Sequence, residues 1–508
     1  MKYVVNGSQM KEIDEYTIRE IGIPSLVLME KAAMAAVDVI LKSIVKEDKI
    51  LAVCGTGNNG GDGVAVARIL FHLGFDADIL LLGEEEKSTE QTKIQLNIAR
   101  NIGVNIFNQL EINEYNIIID ALFGIGLSKA VTGRYASIIN QINQLQNRVY
   151  SIDIPSGISA NDGKVLNTAI KADETITFGF LKLGHLLYPG SEYAGIVTVK
   201  DIGFSPKALM GIRPEHFIYE PEDILRLPVR QKYSNKGTYG KVLVMAGSKE
   251  ISGACFLAAK AAYRTGAGLV KIMTAIENKE ILQTLLPEAL SFTYDEEENS
   301  DSLREGIINE IQQSTSIVIG PGIGVSNMAD QLLQLVLKYS KVPTIIDADA
   351  INLLAKEKEY EDFKENNGID INVNLPNNFI LTPHLKEMSR LMNRTVQEIA
   401  ENILQTANLA TKEKQYTLVL KDARTLVASQ GKIYINTSGN NGMATGGSGD
   451  VLTGIIAGLL AQGMSAFEAA ALGVYLHGLA GDHAMREKGV YSLMASDIIE
   501  ALPCVVRD

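Results

Sequence analysis

Near its C-terminal end the chain reads Asn440-Asn441-Gly442-Met443-Ala444-Thr445-Gly446-Gly447-Ser448-Gly449-Asp450, and residues 451–460 continue it as an apolar, helix-forming run. Glycines allow the backbone to turn tightly, so that several N–H groups point toward one place. The helix behind them adds a partial positive charge at its first turn. The stretch therefore predicts a phosphate-binding loop at a helix N-terminus.

Asp450 stands where this loop becomes the helix, and we expect the positive helix end to keep its carboxylate ionised. Beside a bound phosphate, a carboxylate can accept the proton of an attacking hydroxyl group. A lone Gly-Asp pair would be read more simply as a helix N-cap. Because four glycines fall within the nine residues that end at Asp450, the sequence favours phosphoryl transfer, with Asp450 as the catalytic base.

The size and charge of the chain narrow its class. A length of 508 residues predicts two or three domains, and the net charge of −13 argues against nucleic acid or an anionic membrane as the main partner. Cys54, Cys255 and Cys504 show no metal-binding spacing, so we expect reduced thiols. The N-terminus turns polar at once, and the most apolar run is too short to span a bilayer. We therefore expect a soluble, cytoplasmic protein.

In the first half of the chain, strand patterns alternate with helix patterns. Strands are predicted at residues 49–54, 77–82, 116–119 and 148–152, and helices at 64–73 and 135–145. This alternation predicts a parallel sheet with helices on both faces, a Rossmann-like three-layer α/β/α domain. The alternation lapses around four prolines, so we predict a first domain at 1–213, a linker at 214–228 and a second domain at 229–508.

The loops that follow these strands carry polar residues at the edge where such sheets bind ligands. The first loop spans residues 55–63 and contains G-x-G-x-x-G, which alone is a weak signal. Its Asp62 would repel a phosphate but suits a ribose hydroxyl or a cation. Asn59, Asp120 and Ser156 offer hard oxygen ligands from three strand ends, which predicts a small-cation site. Asp153 is expected to be free to act as acid or base.

Any one of these loops alone would be read as an ordinary turn. Three such loops after consecutive strands predict a ligand-binding site. Together they resemble the NAD(P)H-hydrate epimerase family, over about residues 1–210. The resemblance implies K⁺ at Asn59, Asp120 and Ser156 and makes Asp153 the favoured catalytic acid or base. The substrate-binding positions that it implies are Asn58, Asn59, Gly60, Gly61, Asp62, Gly124, Ile125, Gly126, Leu127, Ser128, Lys129, Ala130 and Asp153.

The second half restarts the alternation. Strands are predicted at residues 241–246, 269–273, 316–319, 344–346, 379–381, 416–420, 426–428 and 432–436, and residues 357–378 are expected to form a surface insertion. Thr382 is expected to cap a helix with Pro383 at its first position, which places His384 at the ligand edge in an uncharged, hydrogen-bonding role. Lys421 and Arg424 could neutralise nucleotide phosphate or solubilise an edge strand. The nucleotide role is favoured because the hairpin that follows, at residues 426–436, leads into the Gly-rich loop.

This half resembles the ribokinase-like fold, and more narrowly the ADP-dependent NAD(P)H-hydrate dehydratase family, over about residues 225–500. The resemblance implies that the hydrate contacts Ala254, Gly324, His384 and Asp450. The adenine nucleotide would contact Lys421, Asp422, Ala423, Arg424, Thr425, Gly446, Gly447 and Gly449. Two positions depart from the family pattern: Ile251 stands where Tyr is common, and Lys386 stands where Gly is common.

Both halves in one chain resemble the bifunctional nicotinamide-nucleotide repair enzymes. The resemblance implies epimerisation of the R and S hydrates of NADH and NADPH, and dehydration of the S hydrate at the expense of ADP, with release of AMP and phosphate. It also implies Mg²⁺, K⁺ and a homo-oligomer. The alternative is a ribokinase-type ATP-dependent small-molecule kinase fused to a non-catalytic nucleotide-binding domain. An NAD-dependent dehydrogenase is a third reading, against which Asp62 argues.

Overall fold

The computed structural model describes residues 1–298, 300–361 and 375–506, with the side chains of 357–361 excepted. It divides the chain into two compact units, one of Tyr3–His216 and one of Phe217–Asp508 together with Met1–Lys2. This division falls inside the predicted linker at 214–228, whose limits stay a prediction. The predicted insertion at 357–378 lies mostly outside the described residues.

The N-terminal unit is an α/β unit built on a parallel sheet. Its strands are β1 (Lys2–Val5), β2 (Lys49–Cys54), β3 (Asp76–Leu81), β4 (Ile106–Phe107), β5 (Ile117–Ala121), β6 (Arg148–Ile152), β7 (Glu174–Phe178), β8 (Leu181–Lys182) and β9 (Ile196–Lys200). Its helices are α1 (Gly7–Arg19), α2 (Ser25–Ile40), α3 (Asn58–His72), α4 (Glu90–Ile102), α5 (Gly133–Gln144), α6 (Leu183–Leu186), α7 (Gly190–Tyr193) and α8 (Pro206–Ile212).

Seven of these strands form one sheet in the order β4-β3-β2-β5-β6-β7-β9, and every pair is parallel. After the exposed Lys49, strand β2 is apolar and buried because both faces of the sheet are covered. Alternate residues of β2 join two cores, one with α2, α3 and α4 and the other with α5. The order of the strands reverses between β2 and β5, so ligands are expected in the crevice between the loops that follow them.

Helix α3 begins at Asn58, although the sequence predicted a loop through residue 63 and a helix from residue 64. Two glycines explain the difference. A Cβ on Gly60 would lie 1.8 Å from the carbonyl oxygen of Gly55, and one on Gly63 would lie 2.3 Å from the Cβ of Ala121. Their missing side chains let the helix start directly against the strand ends, so Asn59 and Asp62 belong to its first turns.

The C-terminal unit has the same general plan. The remaining strands are β10 (His216–Ile218), β11 (Lys241–Met245), β12 (Leu269–Ala275), β13 (Leu290–Tyr294), β14 (Ser316–Ile319), β15 (Thr344–Ile346), β16 (Phe379–Leu381), β17 (Thr417–Leu420), β18 (Leu426–Ser429) and β19 (Lys432–Ile435). The helices are α9 (Gly253–Arg264), α10 (Lys279–Leu285), α11 (Asp301–Gln312), α12 (Asn327–Tyr339), α13 (Ala348–Glu361), α14 (Leu385–Met392), α15 (Val396–Glu401), α16 (Ile403–Thr411), α17 (Ser448–Ala461), α18 (Ala466–Lys488) and α19 (Ala495–Val505).

Within this unit the strand order is β13-β12-β11-β14-β15-β16-β17-β18-β19, parallel as far as β17 and antiparallel beyond it. The central helix α17 is buried from Val451 to Ala461 and packs closely on α9. A Cβ on Gly454 would lie 2.2 Å from the carbonyl oxygen of Ala258, so the small residues of both helices serve close packing. No helix in the described part of the chain combines the length and the apolar character that a membrane span needs.

Candidate active sites

A cavity of about 820 Å³ opens in the N-terminal unit where the strand order reverses. The loops after β2 and β5 line it together with α1, Asp153 and Lys182. The predicted substrate positions that line it are Asn58, Asn59, Asp62, Gly124, Ile125, Gly126, Leu127, Ser128, Lys129 and Asp153. Gly60, Gly61 and Ala130 are not among its lining residues, and the first two lie buried in α3. The structure thus gathers most of the predicted epimerase positions around one cavity.

Asp153 is not free, contrary to the expectation from sequence. Its carboxylate accepts hydrogen bonds from Lys182 Nζ at 2.5 Å and from Thr177 Oγ1 at 3.1 Å. Lys182 is 1% exposed, so this ion pair lies almost entirely out of water. Burial by itself would raise the pKa of Asp153, but the charge and hydrogen bond of Lys182 outweigh it and hold that pKa below its ordinary value.

His185 fixes the backbone beside this pair. Its Nδ1 accepts from the N–H of Lys182 at 3.1 Å, so its Nε2 is the nitrogen that donates to the carbonyl oxygen of Asp153, at 2.9 Å. Burial, and then the charge of Lys182, lower the pKa of His185 to about 4. His185 is therefore a neutral support and not a charged group of the site.

Asp62 differs from Asp153 in its state of ionisation. Burial, followed by the charges of Asp153 and Asp14, raises the pKa of Asp62 well above its ordinary value. Burial and Asp153 also raise the pKa of Asp14 on α1. Asp62 therefore keeps its proton to a higher pH than Asp153 does, and one cavity wall presents both a proton donor and an ionised carboxylate.

The residues predicted to hold a cation lie together beside this cavity. Asp120 is fully buried and accepts from Ser151 Oγ at 2.7 Å and from the N–H of Ser156 at 2.8 Å. Asn59 Nδ2 donates to the carbonyl oxygen of Phe123 at 3.2 Å, and the N–H of Phe123 donates to Ser156 Oγ at 2.9 Å. An all-oxygen donor set fits a hard cation. The described residues contain no cluster of three or more His, Cys, Asp or Glu that could hold a metal ion.

The Gly-rich stretch of the C-terminal unit leads into α17 as predicted, but the helix already begins at Ser448. Gly447 caps it with a left-handed φ of 88°, and a Cβ there would lie 2.5 Å from Leu257 Cδ1. Asp482 anchors the preceding turn, because it accepts from the N–H of Gly439 at 2.9 Å and from Asn440 Nδ2 at 3.0 Å. The loop is thus held in a conformation that requires glycine, with backbone N–H groups at a helix N-terminus.

Asp450 lies in the first turn of α17, and its ionisation differs from the expectation. Burial, followed by the charge of Asp347, raises its pKa to about 7, against the opposing effect of Lys421. The helix end therefore does not keep the carboxylate ionised in acid, because desolvation and neighbouring carboxylates outweigh it. A pKa near neutrality suits a general base, since the carboxylate is available and still binds a proton.

Lys421 lies beside this loop and is not on an edge strand. Strand β17, which it follows, has neighbours on both sides, so the edge-strand alternative is wrong for this residue. Lys421 Nζ donates to Asp347 Oδ1 at 2.8 Å and lies 3.5 Å from the position that a Cβ on Gly449 would occupy. Asp422 and Ala423 are exposed, and Thr425 Oγ1 donates to the carbonyl oxygen of Asp422 at 3.1 Å.

The predicted hydrate contacts lie on neighbouring strand ends. Ala254 is in the first turn of α9, and a Cβ on Gly322 would lie 3.2 Å from its Cβ. The N–H of Gly324 donates to Asp349 Oδ2 at 2.9 Å. Among the described residues, no atom except those of Gly324 and its two chain neighbours lies within 4 Å of the position that a Cβ on Gly324 would occupy. The exposed side chain of Ile251, where the family pattern has Tyr, lies against Gly322.

The N-cap of α14 is His384. The prediction that Thr382 would cap this helix is therefore wrong. His384 Nδ1 accepts from the N–H groups of Lys386 and Glu387, at 3.0 and 3.2 Å, and Glu387 Oε2 accepts from the N–H of His384 at 2.8 Å. Thr382 is instead fully buried at the end of β16. The imidazole ring replaces the usual hydroxyl or amide of a capping box, and the contact of His384 with the hydrate stays a prediction.

Comparison with known proteins places the chain in a family. Two family models match it: YjeF-related protein N-terminus over residues 25–184 and NAD(P)H-hydrate dehydratase over residues 242–504. The bifunctional NAD(P)H-hydrate repair enzyme Nnr of Moorella thermoacetica is 36% identical over 532 residues, with 100% of this chain and 97% of that protein covered. The protein of the same name from Coxiella burnetii is 34% identical and covers 100% of both. This chain belongs to the family of bifunctional NAD(P)H-hydrate repair enzymes.

Two solved structures resemble more than half of the chain. An ADP/ATP-dependent NAD(P)H-hydrate dehydratase from Bacillus subtilis, co-crystallised with ATP and Mg²⁺, is 30% identical, with 57% of this chain and 96% of that chain covered and a TM-score of 0.48. A ribokinase-like superfamily protein from Enterococcus faecalis is 32% identical, with 57% and 95% covered and a TM-score of 0.49.

Membership of the repair-enzyme family confirms the resemblance inferred from the motifs. The two α/β units with parallel sheets confirm the predicted fold class, with the dehydratase match on the second unit. The alternative of a small-molecule kinase with a non-catalytic first domain is not supported, because relatives named as bifunctional cover the whole chain.

Two buried charged residues, one in each unit, were missed from sequence. Lys182 lies in the apolar segment Phe180-Leu181-Lys182-Leu183-Gly184, and a lone lysine in such a run signals a buried, paired ammonium. Asp347 directly follows β15 and begins Asp347-Ala348-Asp349, a strand-end position of the kind that marked Asp120 and Asp153.

Proposed function

We propose that the two units act in sequence on hydrated NADH and NADPH. The N-terminal unit interconverts the R and S hydrates, and the C-terminal unit dehydrates the S hydrate at the expense of ADP. The observation that carries the proposal is Asp450, a carboxyl group with a pKa of about 7 in the first turn of α17, beside the Gly-rich loop and Lys421. Family membership supplies the substrate class.

Dehydration needs activation because hydroxide is a poor leaving group. Asp450 accepts the proton of the ring hydroxyl as its oxygen attacks the β-phosphoryl group of ADP, and AMP departs. The backbone N–H groups of residues 446–449 and the ammonium of Lys421 stabilise the charge of the transferred group. The carbon–oxygen bond then breaks with loss of phosphate, and the neighbouring carbon releases a proton, which restores the ring double bond.

Epimerisation requires that the ring hydroxyl leave and that water return on the other face. The ring nitrogen assists departure of the hydroxyl, which takes a proton from Asp62. Asp153, ionised by its contact with Lys182, then accepts a proton from the incoming water. Because Asp62 and Asp153 both line the cavity and their pKa values are shifted in opposite directions, their roles as acid and base are distinct.

Two cations accompany these steps. The oxygens of Asn59, Asp120 and Ser156, with the carbonyl of Phe123, would hold K⁺ at the edge of the epimerase cavity and supply fixed positive charge there. Mg²⁺ would arrive with the phosphates of the nucleotide and neutralise them. A homo-oligomer and a cytoplasmic location stay predictions.

The test uses the full chain with each hydrate epimer and ADP, followed by the near-ultraviolet absorbance of the dihydronicotinamide. Asp450→Asn should abolish the recovery of absorbance while exchange between R and S hydrates continues at the normal rate. Glu310→Gln is a matched control: Glu310 accepts from Lys241 Nζ and Lys271 Nζ, at 3.0 and 2.6 Å, away from the strand ends that carry the site. A phosphorylated product that accumulates without recovery of absorbance would support the kinase alternative.

A further inference from the structure

We propose that Asp347 is a positioning residue of the dehydration step: it fixes Lys421 against the phosphate loop and keeps that ammonium from pairing directly with Asp450. The inference deepens the proposed function of the C-terminal site and rests on it. Asp347 is not expected to touch the substrate, since its side chain is 1% exposed.

Asp347 occupies the centre of the ligand edge. It directly follows β15, and its N–H donates to the carbonyl oxygen of Ile319 on the neighbouring strand β14 at 3.0 Å. The next residue, Ala348, has a left-handed φ of 48°, which is unusual for a residue with a side chain. The chain turns there into α13, and the carboxylate of Asp347 lies between Lys421 and α17.

Each carboxylate oxygen of Asp347 holds a different element. Oδ1 accepts from Lys421 Nζ at 2.8 Å, at the end of β17, and Oδ2 accepts from Thr453 Oγ1 at 2.6 Å, in α17. Thr453 lies one turn beyond Gly449, whose carbonyl oxygen is also 3.0 Å from Thr453 Oγ1. One buried carboxylate therefore joins the lysine and the first turns of the helix that carries the phosphate loop.

This arrangement determines where the charge of Lys421 acts. The ammonium lies 3.5 Å from the position of a Cβ on Gly449, so it faces the loop where the transferred phosphoryl group is expected. The N–H of Lys421 donates to the carbonyl oxygen of Pro383 at 2.8 Å, which fixes its backbone as well. A lysine on a flexible side chain would otherwise be free to neutralise Asp450 and weaken it as a base.

The charge balance around Asp450 gives the proposal a measurable sign. Asp347 raises the pKa of Asp450, and Lys421 lowers it. The other titratable and charged groups near this pair are Asp349 after β15, Cys255 on α9, Glu387 on α14 and His477 on α18. Removing the charge of Asp347 should therefore shift the pKa of Asp450 down, and removing the charge of Lys421 should shift it up.

The experiment compares Asp347→Asn, Lys421→Met and the control Glu310→Gln in the full chain, with kcat of dehydration measured across pH. Asp347→Asn should lower kcat by about 10²-fold, since the lysine is misplaced. The acidic limb of its kcat profile should move to lower pH by about 1 unit, whereas Lys421→Met should move it to higher pH by about 1 unit. Lys421→Arg, which keeps the charge, should leave the limb near that of the wild type.

The outcomes separate this inference from the proposed function. A wild-type chain that does not dehydrate the hydrate with ADP would refute the function itself. If the wild-type chain does dehydrate the hydrate but the acidic limb of Asp347→Asn stays in place, Asp347 has only a structural role, as Glu310 has. If Asp347→Asn does not fold, Thr453→Val and Lys421→Met replace it. We expect Thr453→Val to lower kcat without moving the acidic limb of the pH profile. An acidic limb that stays in place in Lys421→Met would refute the proposal.

Discussion

Replacement of Lys182 by Met tests the buried ion pair of the N-terminal unit. The Lys182 Nζ–Asp153 Oδ1 distance is 2.5 Å, and Lys182 and Asp153 are 1% and 14% exposed. At that distance the attraction is about 7 kcal/mol for an effective dielectric constant of about 20, and desolvation offsets part of it. Removing one partner of a buried pair costs about 3–5 kcal/mol, because the other charge remains buried. We expect Lys182→Met to lower the free energy of unfolding by about this amount at neutral pH.

The pH dependence of the loss follows from the ionisation of Asp153. Lys182 holds the pKa of Asp153 below its unfolded value, so the pair stabilises the fold at pH above about 4, and the stabilisation is lost as pH falls through the lower folded pKa. In Lys182→Met, burial without a cation should raise the pKa of Asp153 instead. The variant should then bind a proton on folding. The difference in the free energy of unfolding between the wild type and the variant should therefore shrink as the pH approaches 4.

Urea denaturation of the full chain, with hydrogen exchange of β6 and β7 to report on this unit, measures the loss. Lys182→Met with Asp153→Asn should recover most of the stability, because no buried charge is left alone. Glu30→Gln is the control: it breaks the Arg68–Glu30 pair at 2.5 Å, but Glu30 is 41% exposed, so the cost should be about 0–1 kcal/mol. A loss for Lys182→Met no greater than for Glu30→Gln, or one unchanged in acid, would refute the reasoning.

Three further predictions concern the two sites. Gly447→Ala should lower the free energy of unfolding by about 1–2 kcal/mol because of its left-handed φ, and it should raise KM for ADP because the new Cβ clashes with Leu257. The control is Gly463→Ala, where φ is 92° and no atom of the described residues, apart from Gly463 and its two chain neighbours, lies within 4 Å of the new Cβ. It should lower stability by a similar amount and leave KM unchanged. The kcat of dehydration in the wild type should rise with pH through an apparent pKa of about 7, the value for Asp450; a profile flat between pH 5 and 8 would contradict that assignment. Asn59→Ala should make the epimerase rate independent of added K⁺, measured by KCl titration at constant ionic strength; a variant that still responds as the wild type does would place K⁺ elsewhere.

The sequence was sufficient where local chemistry decides the structure. The glycines before Asp450 and the apolar run behind it predict a loop and a helix N-terminus, and α17 has both. The alternation of strands and helices predicts parallel sheets, and the strand ends gather Asn59, Asp120 and Ser156 as expected. These inferences need only the spacing of apolar residues, the residue preferences of turns, and the rule that ligands bind at the carboxyl ends of parallel strands.

The sequence was insufficient where long-range contacts decide the chemistry. Asp153 was expected to be free because Lys182 is 29 residues away in the chain, and the pairing depends on β7 and β8 returning to the same strand end. The ionisation of Asp450 was misjudged for a similar reason. Its helix end is visible in the sequence, but burial and the carboxylate of Asp347, 103 residues earlier, are visible only in the fold.

The most direct test of the central claim is a crystal structure of the full chain with ADP or a non-hydrolysable analogue of it. We expect phosphate oxygens of the nucleotide to accept hydrogen bonds from backbone N–H groups of residues 446–449, at about 2.7–3.2 Å, with the carboxylate of Asp450 facing the terminal phosphate. A nucleotide whose phosphates lie elsewhere, with this helix N-terminus in contact only with water, would contradict it.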